Sequence, residues 1–145
     1  MRLVVDASVA VKWLVDEDGS ETADGILEHA TELHAPRLLA SEVANALWRK
    51  ARLREIERGD AGVLAASVAQ MPVSWTEDER ICGEATRLAV GLDRPVYDCM
   101  YLALAHRVGA RLVTADERFA NALASTEHGG VIVTLTALEG EFETG

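Results

Sequence analysis

The chain has 145 residues, of which 49% are hydrophobic and 26% are charged, and its formal net charge is −10. This composition predicts one globular domain with a hydrophobic core, and the acidic balance argues against generic nucleic-acid binding through a basic surface. The longest clearly apolar stretch, Cys99 to Ala105, is too short for a membrane span of about 18 residues, and Asp6 and Lys12 interrupt any N-terminal signal sequence, so we expect a cytoplasmic protein.

The predicted elements alternate between strands and helices. In chain order they are a strand at 2–5, helices at 8–14 and 20–30, an extended segment at 34–36, helices at 38–53 and 61–69, a strand at 73–75, helices at 76–91 and 98–107, a strand at 111–113, a helix at 117–124 and a strand at 131–133. Ser20 is the expected N-cap of the second helix, and Thr76–Glu79 reads as a capping box. Residues 139–145 are expected to be a frayed acidic tail. This alternation predicts an α/β domain with a mainly parallel sheet.

Four carboxylates occupy positions where local propensity does not favour them. Asp6 and Asp116 each follow a predicted buried strand, whereas Glu42 and Asp98 lie on apolar helix faces. Ligands of parallel sheets bind beyond the carboxyl ends of the strands, so these acids can meet in one pocket if their strands are neighbours. Because burying lone carboxylates is costly, a compensating cation is expected, and a hard divalent metal with oxygen ligands is the natural candidate.

A purely structural interpretation of these acids remains open. Asp6, Asp98 and Asp116 each precede a predicted helix and could act as N-caps, which contribute about 0.5–2 kcal/mol each. Glu42 has no such explanation if its helix face is buried. Capping also leaves unexplained why Ser8 and Thr114 lie two residues from Asp6 and Asp116, where a hydroxyl could orient water on a metal.

Four segments of the chain resemble, in order and with plausible spacing, the successive motifs of PIN-domain proteins. The resemblance is closest to the VapC-type toxin ribonucleases of toxin–antitoxin pairs, and it is carried by Val4–Trp13, Ser41–Leu47, Tyr97–Ala105 and Thr114–Phe119. It implies a PIN-like three-layer α/β/α domain over residues 1–145. It also implies a metal-dependent endoribonuclease that hydrolyses RNA, is neutralised by a cognate antitoxin and forms a homodimer or a higher toxin–antitoxin assembly.

The family's four acids bind Mg²⁺ or Mn²⁺ and map here onto Asp6, Glu42, Asp98 and Asp116. Asp6, Asp98 and Asp116 would hold the principal ion, and Glu42 would ligate a second ion or orient water. Ser8 and Thr114 would not bind the ion themselves but would orient its ligands through hydrogen bonds. Three tryptophans could anchor a dimer interface, although core burial is the favoured interpretation of each: Trp13, Trp48 and Trp75.

Basic residues crowd one stretch of the chain, here called the basic strip: Arg49, Lys50, Arg52, Arg54 and Arg58. Arginine is a good bidentate partner for phosphate or carboxylate, so Arg49, Lys50, Arg52 and Arg54 are candidates for binding RNA or the antitoxin. A solvated helix end, with cations placed favourably near its C-terminus, explains the strip equally well.

Two other functions compete with the ribonuclease. The first is Mg²⁺-dependent phosphoaspartyl chemistry, but Ser8 stands where the phosphatase pattern requires a second Asp, and neither lysine, Lys12 nor Lys50, follows a late strand as a receiver domain requires. The second is a non-catalytic PIN-like domain that binds RNA or protein, against which the complete set of acids argues.

Overall fold

Five parallel strands form the central sheet of the computed structural model, which describes residues 1–145. The strands are β1 (Arg2–Val5), β2 (Glu32–Pro36), β3 (Ser74–Thr76), β4 (Arg111–Thr114) and β5 (Ile132–Thr134), and their order in the sheet is β3-β2-β1-β4-β5. The helices are α1 (Ala7–Ala10), α2 (Ser20–His29), α3 (Leu38–Arg52), α4 (Ala61–Ala66), α5 (Cys82–Leu92), α6 (Val96–Val108), α7 (Glu117–Ala124) and α8 (Leu135–Thr144).

The central strand, β1, has helices on both of its faces, and its apolar residues Leu3, Val4 and Val5 are fully buried. This burial explains why the strand reads as a continuous apolar run rather than as an alternating one. Its neighbour β4 is parallel to it, with Val5 opposite Val113. The two strands whose ends carry Asp6 and Asp116 are therefore adjacent, which fulfils the condition for bringing these acids together.

The helices form a layer on each face of the sheet, which confirms the predicted three-layer α/β/α arrangement. Parallel strands require right-handed crossovers, and these place α1–α4 on one face and α5–α7 on the other. Helix α6 packs against β1, β2 and β4, with α5 outside it, and α8 packs against α2. The segment from Cys99 to Ala105 in α6 is buried throughout, so its apolar run belongs to the core. None of the helices combines the length and apolarity that a membrane crossing requires.

The predicted frayed tail at residues 139–145 is wrong. Helix α8 extends to Thr144 and begins at the N-cap Thr134, whose hydroxyl accepts a hydrogen bond from Ala137 N. Glu141 accepts two hydrogen bonds from Arg111, at 2.8 and 2.9 Å, and the Phe142 ring stacks on His29 with 4.3 Å between ring centroids. The acidic segment is ordered because its charges and its aromatic ring have partners elsewhere in the fold.

The predicted caps at Ser20 and at Thr76–Glu79 are also wrong. Ser20 is the first residue of α2, after Gly19 with φ of 86°, and its hydroxyl accepts from Glu17 N and donates to Val15 O within the preceding turn. The stretch Thr76–Glu79 does not cap α5, because a short 3₁₀ turn intervenes and α5 begins only at Cys82. Asp78 instead accepts a hydrogen bond from Leu38 N at the start of α3, at 2.9 Å. A tertiary contact has replaced the local cap.

Candidate functional site

The four acids line one pocket beyond the carboxyl ends of β1 and β4, with a volume of about 480 Å³. Helix α3 forms one wall through residues spaced three or four apart, and α6 contributes Asp98 and Tyr101. The α3 residues in this wall are Leu38, Ser41, Glu42, Asn45, Ala46 and Arg49. The sequence-predicted acids thus share one cavity, as the strand-end argument anticipated.

Asp6 is the most enclosed of the four acids, with 8% of its surface exposed. The Ser8 hydroxyl donates to its Oδ1 at 2.5 Å, the Thr114 hydroxyl donates to its Oδ2 at 2.5 Å, and Val9 N donates to Oδ1 at 3.3 Å. Burial raises the pKa of Asp6 to about 6, opposed by these hydrogen bonds and assisted by the nearby charge of Glu42. The carboxyl group is therefore rigidly oriented, yet it carries an electrostatic cost when ionised.

Ser8 and Thr114 connect the ends of the two strands around Asp6. Ser8 Oγ accepts from Ala115 N at 2.8 Å, and Thr114 Oγ1 accepts from Asp116 N at 3.0 Å. Because each hydroxyl oxygen already accepts a backbone N–H, its own proton is directed to the Asp6 carboxylate. The predicted supporting hydroxyls thus lie in the site, and their contact is with the carboxylate.

Asp116 is both a helix cap and a pocket residue. Its Oδ1 accepts hydrogen bonds from Arg118 N at 3.0 Å and Phe119 N at 3.2 Å, which caps α7, and no protein donor bonds its Oδ2. Asp6 likewise caps α1 through Val9 N. The capping interpretation is therefore confirmed for both residues and does not compete with a role in the pocket. It is wrong for Asp98, which lies inside the first turn of α6.

Glu42 is held by Tyr101 across the pocket. The Tyr101 hydroxyl donates to Glu42 Oε1 at 2.5 Å. Burial raises the pKa of Glu42, and the negative charge of Asp98 adds to that rise. Burial and the neighbouring Glu42 also raise the pKa of Tyr101, so the phenol remains a neutral donor.

Asp98 alone among the four acids has a cationic side chain as a partner. Arg94 Nη2 donates to Asp98 Oδ2 at 3.2 Å, and the Arg94 guanidinium carbon lies 4.8 Å from the ring centroid of Phe119. Sequence reasoning missed Arg94, although its spacing of four residues from Asp98 is the spacing of a helical ion pair. It also missed the Tyr101–Glu42 bond, which had no local signal because 59 residues separate the partners.

The donor chemistry of the pocket fits a hard divalent cation. All four side chains offer carboxylate oxygens, which Mg²⁺ and Mn²⁺ prefer. Burial first, and a neighbouring carboxylate second, raise the pKa values of Asp6 and Glu42, and a bound cation would offset the cost of ionising them. As they stand, however, no three acidic, His or Cys side chains are clustered closely enough to enclose an ion. Three of the acids, Asp6, Glu42 and Asp98, direct oxygens to side-chain donors of the protein instead.

The residues of the basic strip differ in their contacts. Lys50 is paired with Glu17 and lies 3.6 Å from Glu55, and Arg52 lies over the ring of Trp48. Arg49 is the strip residue that lines the acidic pocket. Lys50 is therefore engaged within the fold, and Arg49 is the strip residue best placed to meet a ligand of the pocket.

Comparisons with known proteins give a consistent result. The family model described as PIN domain matches residues 3–123. Ribonuclease VapC3 of Pyrobaculum aerophilum is 36% identical over 125 residues, which cover 83% of this chain and 93% of the relative.

Three solved structures share the fold. The crystal structure of PAE2754 from Pyrobaculum aerophilum matches with a TM-score of 0.73 and 26% identity, covering 100% of this chain and 91% of the other. Mycobacterium tuberculosis VapC20, a sarcin-ricin loop cleaving toxin, matches with a TM-score of 0.66 and 18% identity, covering 83% and 94%. VapBC2 from Rickettsia felis, bound to a DNA fragment from their promoter, matches with a TM-score of 0.58 and 10% identity, covering 92% and 98%.

Proposed function

Because the chain belongs to the PIN-domain family and is a VapC-type toxin endoribonuclease, we propose that it hydrolyses RNA with Mg²⁺ or Mn²⁺ held by Asp6, Glu42, Asp98 and Asp116. The observation that carries the proposal is that all four acids line a single pocket at the ends of β1 and β4. The family match and the named relative give no support to the phosphoaspartyl or non-catalytic alternatives.

The four acids have different proposed roles. Asp6, Asp98 and Asp116 would hold the principal cation, and Glu42 would hold a second cation or orient the attacking water. Ser8 and Thr114 keep both oxygens of Asp6 in place, and Tyr101 does the same for one oxygen of Glu42. A bound divalent cation supplies positive charge for the phosphate oxygens and lowers the pKa of the attacking water.

The acidic pocket still has to receive a polyanion. The bound cation offsets the local negative charge, and Arg49 at the pocket wall supplies a donor for a flanking phosphate. Single-stranded or looped RNA is the favoured substrate because its backbone can enter a pocket that a regular A-form duplex cannot reach. The reaction takes place in the cytoplasm, where such RNA is available.

A cognate antitoxin is the proposed regulator, and the structural match to VapBC2 supports a partner of this kind. Such a partner would cover the pocket with apolar anchors and insert an Arg or Lys to compete with metal. Since Asp98 already contacts Arg94, the partner's cation would meet Asp6, Glu42 and Asp116. We also propose that the toxin is a homodimer within this assembly.

The proposal is tested by incubating the purified full chain with single-stranded RNA in EDTA and then adding back Mg²⁺, Mn²⁺ or Ca²⁺. We expect no cleavage in EDTA, recovery with Mg²⁺ or Mn²⁺, and little recovery with Ca²⁺, whose longer and looser coordination misplaces the reacting oxygens. Asp6→Asn, Asp98→Asn and Asp116→Asn should each lower cleavage by about a hundredfold or more.

Asp93→Asn is the matched control, because it makes the same change five residues before Asp98 and outside the pocket. Asn tolerates the left-handed conformation of this position, where φ is 52°. Undiminished RNA cleavage by Asp98→Asn would show that Asp98 is not part of the active site. Absence of RNA cleavage with every cation would contradict the proposed activity itself.

A further inference from the structure

Arg94 lies in the connection between α5 and α6 and is fixed from two sides. Its guanidinium lies over the buried ring of Phe119, 4.8 Å from guanidinium carbon to ring centroid, and its Nη2 donates to Asp98 Oδ2 at 3.2 Å. Its backbone N–H donates to Ala89 O at 3.1 Å. The cation is therefore held beside one of the four acids by the fold itself.

The hydrogen bonding of Arg94 is incomplete. Its Nε is buried and has no acceptor, so the guanidinium makes a single hydrogen bond to Asp98 rather than the two-pronged contact that arginine and carboxylate favour. A buried donor without an acceptor is costly. The contact thus engages one oxygen of Asp98, and the other oxygen of this pocket residue accepts no hydrogen bond from the protein.

Charge explains why this contact matters. Four carboxylates surround the pocket, and Arg94 is the single cation that forms an ion pair with any of them. The guanidinium offsets part of their mutual repulsion in the metal-free protein. A divalent cation that approaches Asp98 meets both a repelling charge and a competitor for the same carboxylate.

We propose that Arg94 is a positioning residue that occupies Asp98 in the metal-free protein and competes with the divalent cation for that carboxylate. The inference rests on the proposed function, because it takes Asp98 as a metal ligand. Arg94 then sets the cation concentration at which the pocket fills: the acids alone would bind more tightly than the intact site does. Phe119 keeps the displaced guanidinium close, so the contact re-forms when the cation leaves.

The test is calorimetric titration of the full chain with Mn²⁺, in the absence of RNA. Arg94→Gln removes the charge and should tighten Mn²⁺ binding about fivefold, the upper range for a partly exposed ion pair. Arg118→Gln is the matched control: it removes the same charge two residues from Asp116, where its side chain forms no ion pair with the acids, and it should change the affinity by less than about twofold. Unchanged or weaker binding by Arg94→Gln, or an equal gain by Arg118→Gln, would overturn the inference.

Thermal unfolding provides a second readout that does not depend on nuclease activity. In EDTA, Arg94→Gln should unfold at a lower temperature than the parent protein, and added Mn²⁺ should raise its unfolding temperature by more than it raises that of the parent. Arg94→Lys retains the charge without the planar stacking on Phe119, so its Mn²⁺ affinity should lie between those of the parent and Arg94→Gln.

Asp98→Asn separates this inference from the proposed function. If Asp98→Asn binds Mn²⁺ as tightly as the parent protein, the proposed metal site is wrong. If Asp98→Asn weakens binding while Arg94→Gln does not tighten it, the metal site stands and only the role of Arg94 is wrong.

Discussion

Asp6 is held by two hydroxyl donors and one backbone N–H, and no cation contacts it. Its folded pKa of about 6 lies above its ordinary value of 3.8, so the folded state retains the proton more strongly than the unfolded state does. Stability from this group is therefore present at low pH and is lost as pH rises from about 4 to about 6, by an amount on the order of 3 kcal/mol. The ionised Asp6 carboxylate therefore destabilises the metal-free fold at neutral pH.

Asp6→Asn should therefore stabilise the metal-free protein at pH 7.5 more than at pH 4.5. The amide keeps the shape of the side chain and removes the buried charge. Urea unfolding of both proteins in EDTA at the two pH values measures this difference, with the exposed Asp24→Asn as the control. An equal loss of stability at both pH values would show that hydrogen bonding, rather than charge, dominates at Asp6.

Thr114→Val should lower RNA cleavage by about tenfold, because it removes the donor to Asp6 while preserving side-chain shape. It also removes the acceptor for Asp116 N, so two of the acids lose orientation. Thr114→Ser retains the hydroxyl and should restore most of the activity. Equal activity of the Val and Ser variants would mean that this hydroxyl does not orient the site.

Single residues also show how far sequence can predict a site. Asp6 and Asp116 were predictable because the end of a buried parallel strand is a recurrent ligand position, independent of neighbours. The Tyr101–Glu42 bond was not, because a hydrogen bond between distant residues leaves no trace in local spacing. In this structure the acids do not come close enough to enclose a metal ion. Sequence periodicity could not predict this, because it does not give the directions of side chains.

Helix α3 makes three kinds of contact: with the core, with the pocket and with Glu17. Leu39, Val43 and Leu47 face the core, Glu42 and Arg49 face the pocket, and Lys50 pairs with Glu17. The apolar stripe was predictable from helical periodicity. The different contacts of Arg49 and Lys50 were not predictable from the sequence, since they depend on where Glu17 and the pocket lie after folding.

Arg49→Gln should weaken RNA binding and reduce its salt dependence by about one phosphate contact, because Arg49 lines the pocket. Lys50→Gln should leave RNA binding nearly unchanged and instead lower stability, because it breaks the pair with Glu17. Fluorescence anisotropy at several salt concentrations, in the Asp116→Asn background to preserve the RNA, measures both. An equal loss of RNA affinity in the two variants would indicate that the whole basic strip binds RNA.

Helix α8 shows why an acidic chain end can be misjudged from its sequence. Composition predicts fraying, but the partners of Glu139, Glu141 and Phe142 come from residues far earlier in the chain. The caps at Ser20 and Thr76 failed for the same physical reason, because a tertiary contact or a turn satisfied the groups that a local motif was expected to satisfy.

Phe142→Ala should therefore lower the free energy of unfolding by about 1 kcal/mol, as expected for a half-buried aromatic side chain. Chemical denaturation measures the change, and Glu143→Ala on the same helix, which forms no ion pair, is the control. A Phe142 variant as stable as the parent would support the frayed tail that the composition suggested.

For the whole molecule, the strand order explains the position of the pocket. The chain adds β2 and β3 on one side of β1, then crosses back to place β4 and β5 on the other. The direction of chain growth thus reverses between β1 and β4, which is where parallel α/β sheets bind their ligands. The sequence predicted the strands and placed the site at their carboxyl ends, but the reversal depends on pairings between distant segments, so local patterns could not show that β1 and β4 are neighbours.

One exposed tryptophan is a candidate anchor for self-association. Trp13 donates to Ala23 O and Trp75 is half-buried beneath Arg37. Arg52 lies over the Trp48 ring, but Trp48 is 54% exposed, so the core burial favoured for this residue is wrong. Exposed tryptophan is a typical interface anchor, and we expect a second copy of this chain to cover it. Trp48→Ala should shift the protein from dimer toward monomer at micromolar concentration, as measured by light scattering coupled to size exclusion.

Leu27→Ala is the matched control for this experiment, because Leu27 is a large hydrophobic residue that is 42% exposed on α2. Its replacement should leave the dimer intact if the interface is centred on Trp48, since truncations outside a central anchor change affinity little. A monomeric parent protein would contradict the dimer. A dimer unaffected by Trp48→Ala but lost with Leu27→Ala would move the interface to α2.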